Sequence, residues 1–346
     1  MHRQAPDILA AMKALVDPVL QRHVDGLHPL MREISRFHFG WDTKGGSGKS
    51  LRPALAVLGA QAVGANGDEP EVLDAACAVE LIHNFSLVHD DIMDEDRTRH
   101  HRPTAWTVYG VNQSLLAGCA LHTLAFEVLA RRGAVAAQEA LTASVQVLIA
   151  GQSDDLYLAD RQDATLEQCI AMEAGKTASL LSASASLGAI AWYGARGELI
   201  PGESAQGSEA AARTALLAEY GHHVGMAFQL VDDMLGIWGD EGRTGKPVAA
   251  DLRARKRSAP VVAALTSGTR EGERLAALMA TPGELPEEDV ALAAKLVEES
   301  GGRAWCQERA DLHTNEALTR LDRLAARPET FGDLTEVTRF LLRREW

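Results

Sequence analysis

The chain has little of what builds sheets, disulfides or membrane spans. Aromatic residues make up 5% of its 346 residues. Runs of β-branched side chains are scarce too, so Ala, Leu, Glu and Arg are left to favour helix. Cys77, Cys119, Cys169 and Cys306 are scattered without CxxC spacing. Neither a zinc site nor a disulfide framework is indicated, and reduced thiols inside helices are expected. No uninterrupted apolar run reaches the roughly 18 residues of a membrane span, and Met1 to Asp7 lacks the apolar core of a signal peptide. Positive charge is in deficit. A formal net charge of −14 argues against a nucleic-acid partner and against an anionic membrane surface. The expectation is a cytoplasmic protein with no stable membrane insertion, in which any bound anion must meet Lys and Arg concentrated locally.

Apolar residues do recur at helical spacing from end to end. Helices are predicted over 6–22, 27–38, 51–63, 70–95, 111–131, 134–159, 165–192, 209–239, 256–266, 286–299, 302–325 and 330–344. Turn chemistry separates them, as at Thr43 to Gly48, Ala65-Asn66-Gly67-Asp68, Pro201-Gly202 and Thr281-Pro282-Gly283. No alternating strand pattern, fixed-period repeat or long low-complexity linker interrupts them. The expected architecture is all-α, one domain over 1–346, with its longest helices in a single large bundle around a central cavity. Residues 195–208, rich in Gly, Ser and Glu, read as an exposed loop.

Two aspartate pairs stand out because each sits inside an apolar stretch: Val88-His89-Asp90-Asp91-Ile92-Met93-Asp94 and Phe228-Gln229-Leu230-Val231-Asp232-Asp233-Met234. Asp90 and Asp94, at i and i+4, project from one helical face. Two carboxylates that close repel unless a cation lies between them, and a hard divalent ion with oxygen ligands answers that need. The competing reading is a solvated acidic helix end prolonged by Glu95 and Asp96. The second pair is less regular. Gly236 stands at i+4 from Asp232, where a third carboxylate would complete the same pattern, and Gln229 shares the face of Asp233. Two such faces suit one highly charged ligand, such as a magnesium-bound diphosphate.

Basic clusters punctuate the acidic background. Arg97-Thr98-Arg99-His100-His101-Arg102-Pro103 directly follows the first pair, and arginine forks suit phosphate oxygens. Gly48-Lys49-Ser50-Leu51-Arg52-Pro53 follows a Gly-rich loop and opens a helix, a reasonable anion site. It lacks the upstream glycine and the preceding strand of a nucleotide-binding P-loop, so that label is rejected. Lys176-Thr177 interrupts an apolar helix, where a lysine either serves a site or snorkels to the surface. Gly245-Lys246-Pro247 and Arg253, Arg255 and Lys256 form a basic loop past the second pair, placed to cover phosphate.

The blocks Gly48 to Pro53, His83 to Asp94, Arg99 with Pro103-Thr104, Gly151-Gln152 with Asp155, Lys176-Thr177, Phe228 to Asp233, Gly245 to Pro247 and Asp251 with Lys256 occur in one order. In that ordered set the chain resembles the trans-isoprenyl diphosphate synthases, the polyprenyl synthetase family, and within it short-chain geranylgeranyl diphosphate synthases. The resemblance implies the isoprenoid synthase fold and a magnesium-dependent prenyltransferase, active as a homodimer. It would join isopentenyl diphosphate to an allylic diphosphate to give a short-chain all-trans product, geranylgeranyl diphosphate (C20). By the same resemblance, Asp90, Asp94 and Asp232 hold three magnesium ions on the allylic diphosphate, supported by Asp91 and Asp233. Arg99, Lys176, Lys246 and Lys256 bind diphosphate, Lys49, Arg52, His83 and His100 serve isopentenyl diphosphate, and Thr177 and Gln229 face the allylic cation. Phe85 and Ser86, five and four residues before Asp90, would set product length.

The chain departs from the family pattern at five places. His100 replaces a second arginine, with Arg102 as a possible substitute; Ser50 replaces a common arginine; Cys119 stands where aspartate is frequent; Gly236 replaces a third aspartate; and Arg255 stands where glycine is frequent. Two alternatives compete. One is a terpene cyclase or lyase on the same scaffold, which has no need of a second diphosphate site at Lys49, Arg52 and His83. The other is a non-catalytic partner subunit, which has no need of intact Asp90, Asp94, Asp232 and Lys176.

Overall fold

A computed structural model of the chain describes residues 3–42, 50–99, 102–159, 161, 163–199, 208–239, 248–280, 283 and 285–343. The described residues are almost wholly helical, as the composition requires. Helix α1 spans Ala5–Asp25, α2 Pro29–Phe39, α3 Leu51–Val63 and α4 Pro70–Met93. Each of α1, α2 and α4 opens on a proline in its first turn, where the missing N–H costs nothing. Helices α2 and α3 close on Gly40 and Gly64 in the left-handed conformation, φ 74° and 119°.

Then follow α5 (Ala105–Tyr109), α6 (Val111–Arg131), α7 (Val135–Ala159), α8 (Leu166–Glu173), a π-helical turn at Ala174–Ala178, α9 (Ser179–Ala195) and α10 (Glu209–Trp238). The last are α11 (Ala250–Arg253), α12 (Ala259–Leu265), α13 (Arg270–Met279), α14 (Glu287–Glu299), α15 (Gly302–Leu324) and α16 (Pro328–Arg343).

The chain forms two compact units. The first draws on 1–145, 180–221 and 319–339, the second on 146–179, 222–318 and 340–346. In the first, α4 packs chiefly on α6 and α3, through fully buried side chains such as Leu81, Ile82, Leu121 and Leu55. Helices α3 and α9 cross at backbone distance. A Cβ on Gly59 would lie 2.0 Å from the Ala185 carbonyl oxygen, and one on Gly188 would lie 2.1 Å from that of Ala56. In the second unit, Leu158, Cys169, Leu230, Val262 and Cys306 form one apolar cluster, and Ile237, Leu252, Leu275, Leu296 and Val297 form another.

Several local expectations are corrected. Antiparallel strands Thr98–Arg99 and Arg102–Pro103 form a small hairpin, too short for an alternating pattern to register. Helices α5, α11 and α13 were not anticipated. Helix α13 carries Gly272 inside it, where a Cβ would meet the Ala264 carbonyl oxygen at 2.5 Å, and that glycine hides an otherwise helical segment. Cys119 is exposed, while Cys77, Cys169 and Cys306 are buried. Among the described residues α6 alone has the length and hydropathy of a membrane span, mean hydropathy 1.3, with 44% of that window buried in the protein. Most of the expected loop at 195–208 lies outside the described residues.

Candidate active site

Helix α4 ends on its acidic cluster. The Asp94 N–H donates to the Asp90 carbonyl (2.8 Å), and Glu95 turns into the left-handed region at φ 55°, stopping the helix. Asp90, Asp91 and Asp94 therefore gather at a C-terminus, the negative end of the helix dipole, and its last turn holds no basic residue. That arrangement is unfavourable by itself and favours a cation. The pair divides its duties. Asp90 is half-buried and keeps an open surface, whereas Asp91 is 1% exposed. Arg99, brought back by the hairpin, donates through Nε to Asp91 Oδ1 at 2.7 Å. Burial raises the Asp91 pKa, against the pull of Arg99. Asp91 Oδ2 has no hydrogen-bond partner among the described residues.

About two turns before Asp90 on α4, the Arg52 guanidinium lies 3.2 Å from His83 Nε2. Burial lowers the arginine's pKa to about 10, with Glu80 opposing, so it stays charged at neutral pH. Its Nε lacks a partner among the described residues. Arg102 does not substitute for an anion ligand. Its guanidinium donates to the Phe37 and His38 carbonyls and lies 5.4 Å over the Phe37 ring. Arg97 likewise stacks on Trp106, 5.5 Å from the ring centroid. Lys49, His100 and Lys246 lie outside the described residues.

The second aspartate pair shows the same division. Asp232 is half-buried, Asp233 3% exposed. Both Asp233 oxygens are held: Gln229 Nε2 donates to Oδ1 and the Ala259 N–H to Oδ2, each at 2.8 Å. The Thr177 hydroxyl in turn donates to Gln229 Oε1 at 2.8 Å. This relay sets the orientation of the Gln229 amide, which is already engaged at both ends. Lys176 does not merely snorkel; it pairs with Asp155 at 2.5 Å. Lys176 and Thr177 both belong to the π-helical turn, a feature common at functional sites. The turn fits because α7 crosses it without side chains. A Cβ on Gly151 would lie 2.3 Å from the Lys176 nitrogen, and one on Gly175 would lie 2.9 Å from the Gly151 Cα.

Among the described residues of the basic loop, only Lys256 faces the aspartates. Lys256 reaches solvent, yet carboxylates surround it. Burial tends to lower its pKa, but Asp233, Asp251, Asp155 and Asp232 hold it above the ordinary lysine value. Arg253 pairs with Glu287 at 2.9 Å. Arg255, at φ 52°, occupies the conformation that favours glycine there, and its guanidinium caps the Leu278 and Gly283 carbonyls, both at 2.6 Å. Sequence reasoning missed Glu173, 2% exposed and close enough to Asp233 to feel its charge. Burial and the Asp233 charge push its pKa well above the usual carboxylate range. Its only sequence signal is a charge interrupting the apolar run around Cys169 and Met172. Both polar atoms of the buried Gln152 amide also lack partners among the described residues.

Residues 41–297 match the sequence profile of the family described as Polyprenyl synthetase. The chain belongs to the polyprenyl synthetase family. This family member is 38% identical to a (2E,6E)-farnesyl diphosphate synthase of Mycobacterium tuberculosis, over 100% of this chain and 95% of that one. It is 37% identical to a geranylgeranyl diphosphate synthase of the same organism, over 98% and 93%. Its fold, that of the isoprenoid synthases, matches a polyprenyl synthetase from Streptomyces coelicolor A3(2) with TM-score 0.88 and 39% identity, over 98% and 99%. It also matches a geranylgeranyl pyrophosphate synthase from Corynebacterium glutamicum solved with isoprenyl diphosphate and magnesium, with TM-score 0.77 and 26% identity, over 98% of both chains. Like the rest of its family, this synthetase is a trans-prenyltransferase.

Proposed function

We propose that this prenyltransferase joins isopentenyl diphosphate to an allylic diphosphate, with magnesium, and that its main product is geranylgeranyl diphosphate (C20). One observation carries the reading: each aspartate pair presents one accessible carboxylate, Asp90 or Asp232, and buries the other. The residues fit magnesium. Acidic side chains crowd a helix C-terminus, Asp91 Oδ2 is an orphaned buried acceptor, and Lys256 faces a ring of carboxylates. Among the described residues no three His, Cys, Asp or Glu side chains form a ready cage, as suits an ion that takes most of its oxygens from phosphate and water. Asp90, Asp94 and Asp232 would hold three such ions, which supply electrostatic stabilisation of the departing diphosphate.

The chain's own residues do the rest. Arg99 and Lys176, each already oriented by a carboxylate, bind the diphosphate together with Lys256. Thr177 and Gln229 present oriented dipoles to the allylic carbon as positive charge develops there. Arg52 and His83 hold the second diphosphate, which a cyclase would not need.

Product length rests on Phe85 and Ser86. Ser86 stands one turn before Asp90 on its face, while the Phe85 ring is turned towards α6, edge-on to His89 and His122 at 4.9 and 5.0 Å. Phe85→Ala is expected to lengthen products beyond C20 and Ser86→Phe to shorten them towards C15, read by mass spectrometry after incubation with each allylic primer. An unchanged distribution from an active Phe85→Ala enzyme overturns the C20 assignment, and no condensation product at all overturns the reaction.

A cytoplasmic homodimer is part of the same reading. Four unpaired cysteines suit a reducing compartment. Val111, Leu115 and Leu116 of α6 face outward, Leu116 at 55% exposure. A shallow groove of about 690 Å³ beside them is lined by Leu30, Met31, Cys119 and Leu124. Light scattering that returns the mass of one chain would refute the dimer.

A further inference from the structure

The second aspartate helix has a gap in its pattern at Gly236, one turn after Asp232, and the structure fills that gap from another segment. A Cβ built on Gly236 would lie 2.3 Å from Asp251 Oδ2, 2.5 Å from its Cγ and 2.9 Å from Oδ1. The Asp251 carboxylate therefore stands directly against Gly236, in the space where any side chain at that position would begin. Helix α11, which carries Asp251, reaches this place because Ala249 enters it in the left-handed conformation, φ 57°, and Leu252 is fully buried in the apolar cluster with Ile237. The charge environment agrees: Asp251 acts on Lys256 together with Asp233, Asp155 and Asp232.

We propose that Asp251 supplies the third carboxylate of the second aspartate site, so that the i+4 acid missing from α10 is replaced in space by one from α11. The inference rests on the metal–diphosphate reading above and deepens it. Gly236 is then required for want of room, since a side chain there must displace the carboxylate that does its work. The two positions should be interchangeable as carriers of one charge but not occupied together.

The test measures magnesium-dependent binding of inorganic diphosphate by calorimetry, with circular dichroism to establish folding. D251A is expected to weaken binding about tenfold or more, the scale of losing a group that orients metal ligands. D251N, which keeps the side-chain shape, should lose as much. G236D alone should also weaken binding, because two carboxylates would compete for one volume. The double variant G236D/D251A should recover most of the loss. Undiminished affinity in D251A or D251N overturns the inference, as does a folded double variant that binds no better than D251A. If the unmodified enzyme binds diphosphate equally well without magnesium, the metal reading falls first and this assignment falls with it.

Discussion

Asp90→Ala and Asp232→Ala are each expected to lower turnover by at least about a hundredfold, while the circular dichroism spectrum stays that of the parent. Each change removes a carboxylate that is accessible rather than embedded, so the loss falls on stabilisation of the leaving group and little on packing. Asp91→Ala and Asp233→Ala should behave differently. Asp91 holds Arg99, and Asp233 holds both Gln229 and the Ala259 N–H. Removing Asp233 leaves the buried Ala259 N–H unpaired, which should cost about 1–3 kcal/mol of stability. Removing Asp91 strips the part-exposed Arg99 of its acid, so both changes should lower the melting temperature. Chelation of the metal should abolish activity and magnesium should restore it. Full turnover in a metal-stripped sample would sink the mechanism.

Gly151→Ala should cost about as much activity without touching a charged group. The added methyl would stand 2.3 Å from the Lys176 nitrogen and 2.6 Å from the Gly175 carbonyl carbon. Backbone cannot move aside as a flexible side chain can, so α7 and the π-helical turn must separate. Lys176 and Thr177 would shift with the turn, and a displacement of about 1 Å in a positioning group can reduce rate a hundredfold. The decisive measurement is turnover beside melting temperature at matched magnesium. An active, normally stable Gly151→Ala enzyme would show that close contact here is not what positions Lys176.

Much of this was legible in the chain. The helical periodicity, the shared face of Asp90 and Asp94, and the order of the basic blocks needed only local reading. What escaped was decided by parts distant in sequence. Arg102 and Arg255 looked like phosphate ligands, but a guanidinium satisfies backbone carbonyls equally well, and neighbouring segments offered them first. Gly236 looked like a lost acid because counting along one helix cannot register a carboxylate arriving from the next. Glu173 drew no notice in the sequence, and only its burial close to Asp233 gives it meaning. The π-helical turn had no signal at all, since Ala-Gly-Lys-Thr-Ala is as acceptable to an α-helix.

That turn has an evolutionary consequence. A π-helical turn amounts to one residue more than a continuous α-helix would carry over the same length. Loss of a single codon between Ala174 and Ala178 would let α8 and α9 anneal into one uninterrupted helix, a locally comfortable outcome. The flanking turns would keep their register, because the bulge had absorbed the extra residue, but the widened turn that carries Lys176 and Thr177 past Gly151 would be lost. Length in this stretch is therefore restrained along with the identity of Gly175, Lys176 and Thr177, since each depends on the widened turn.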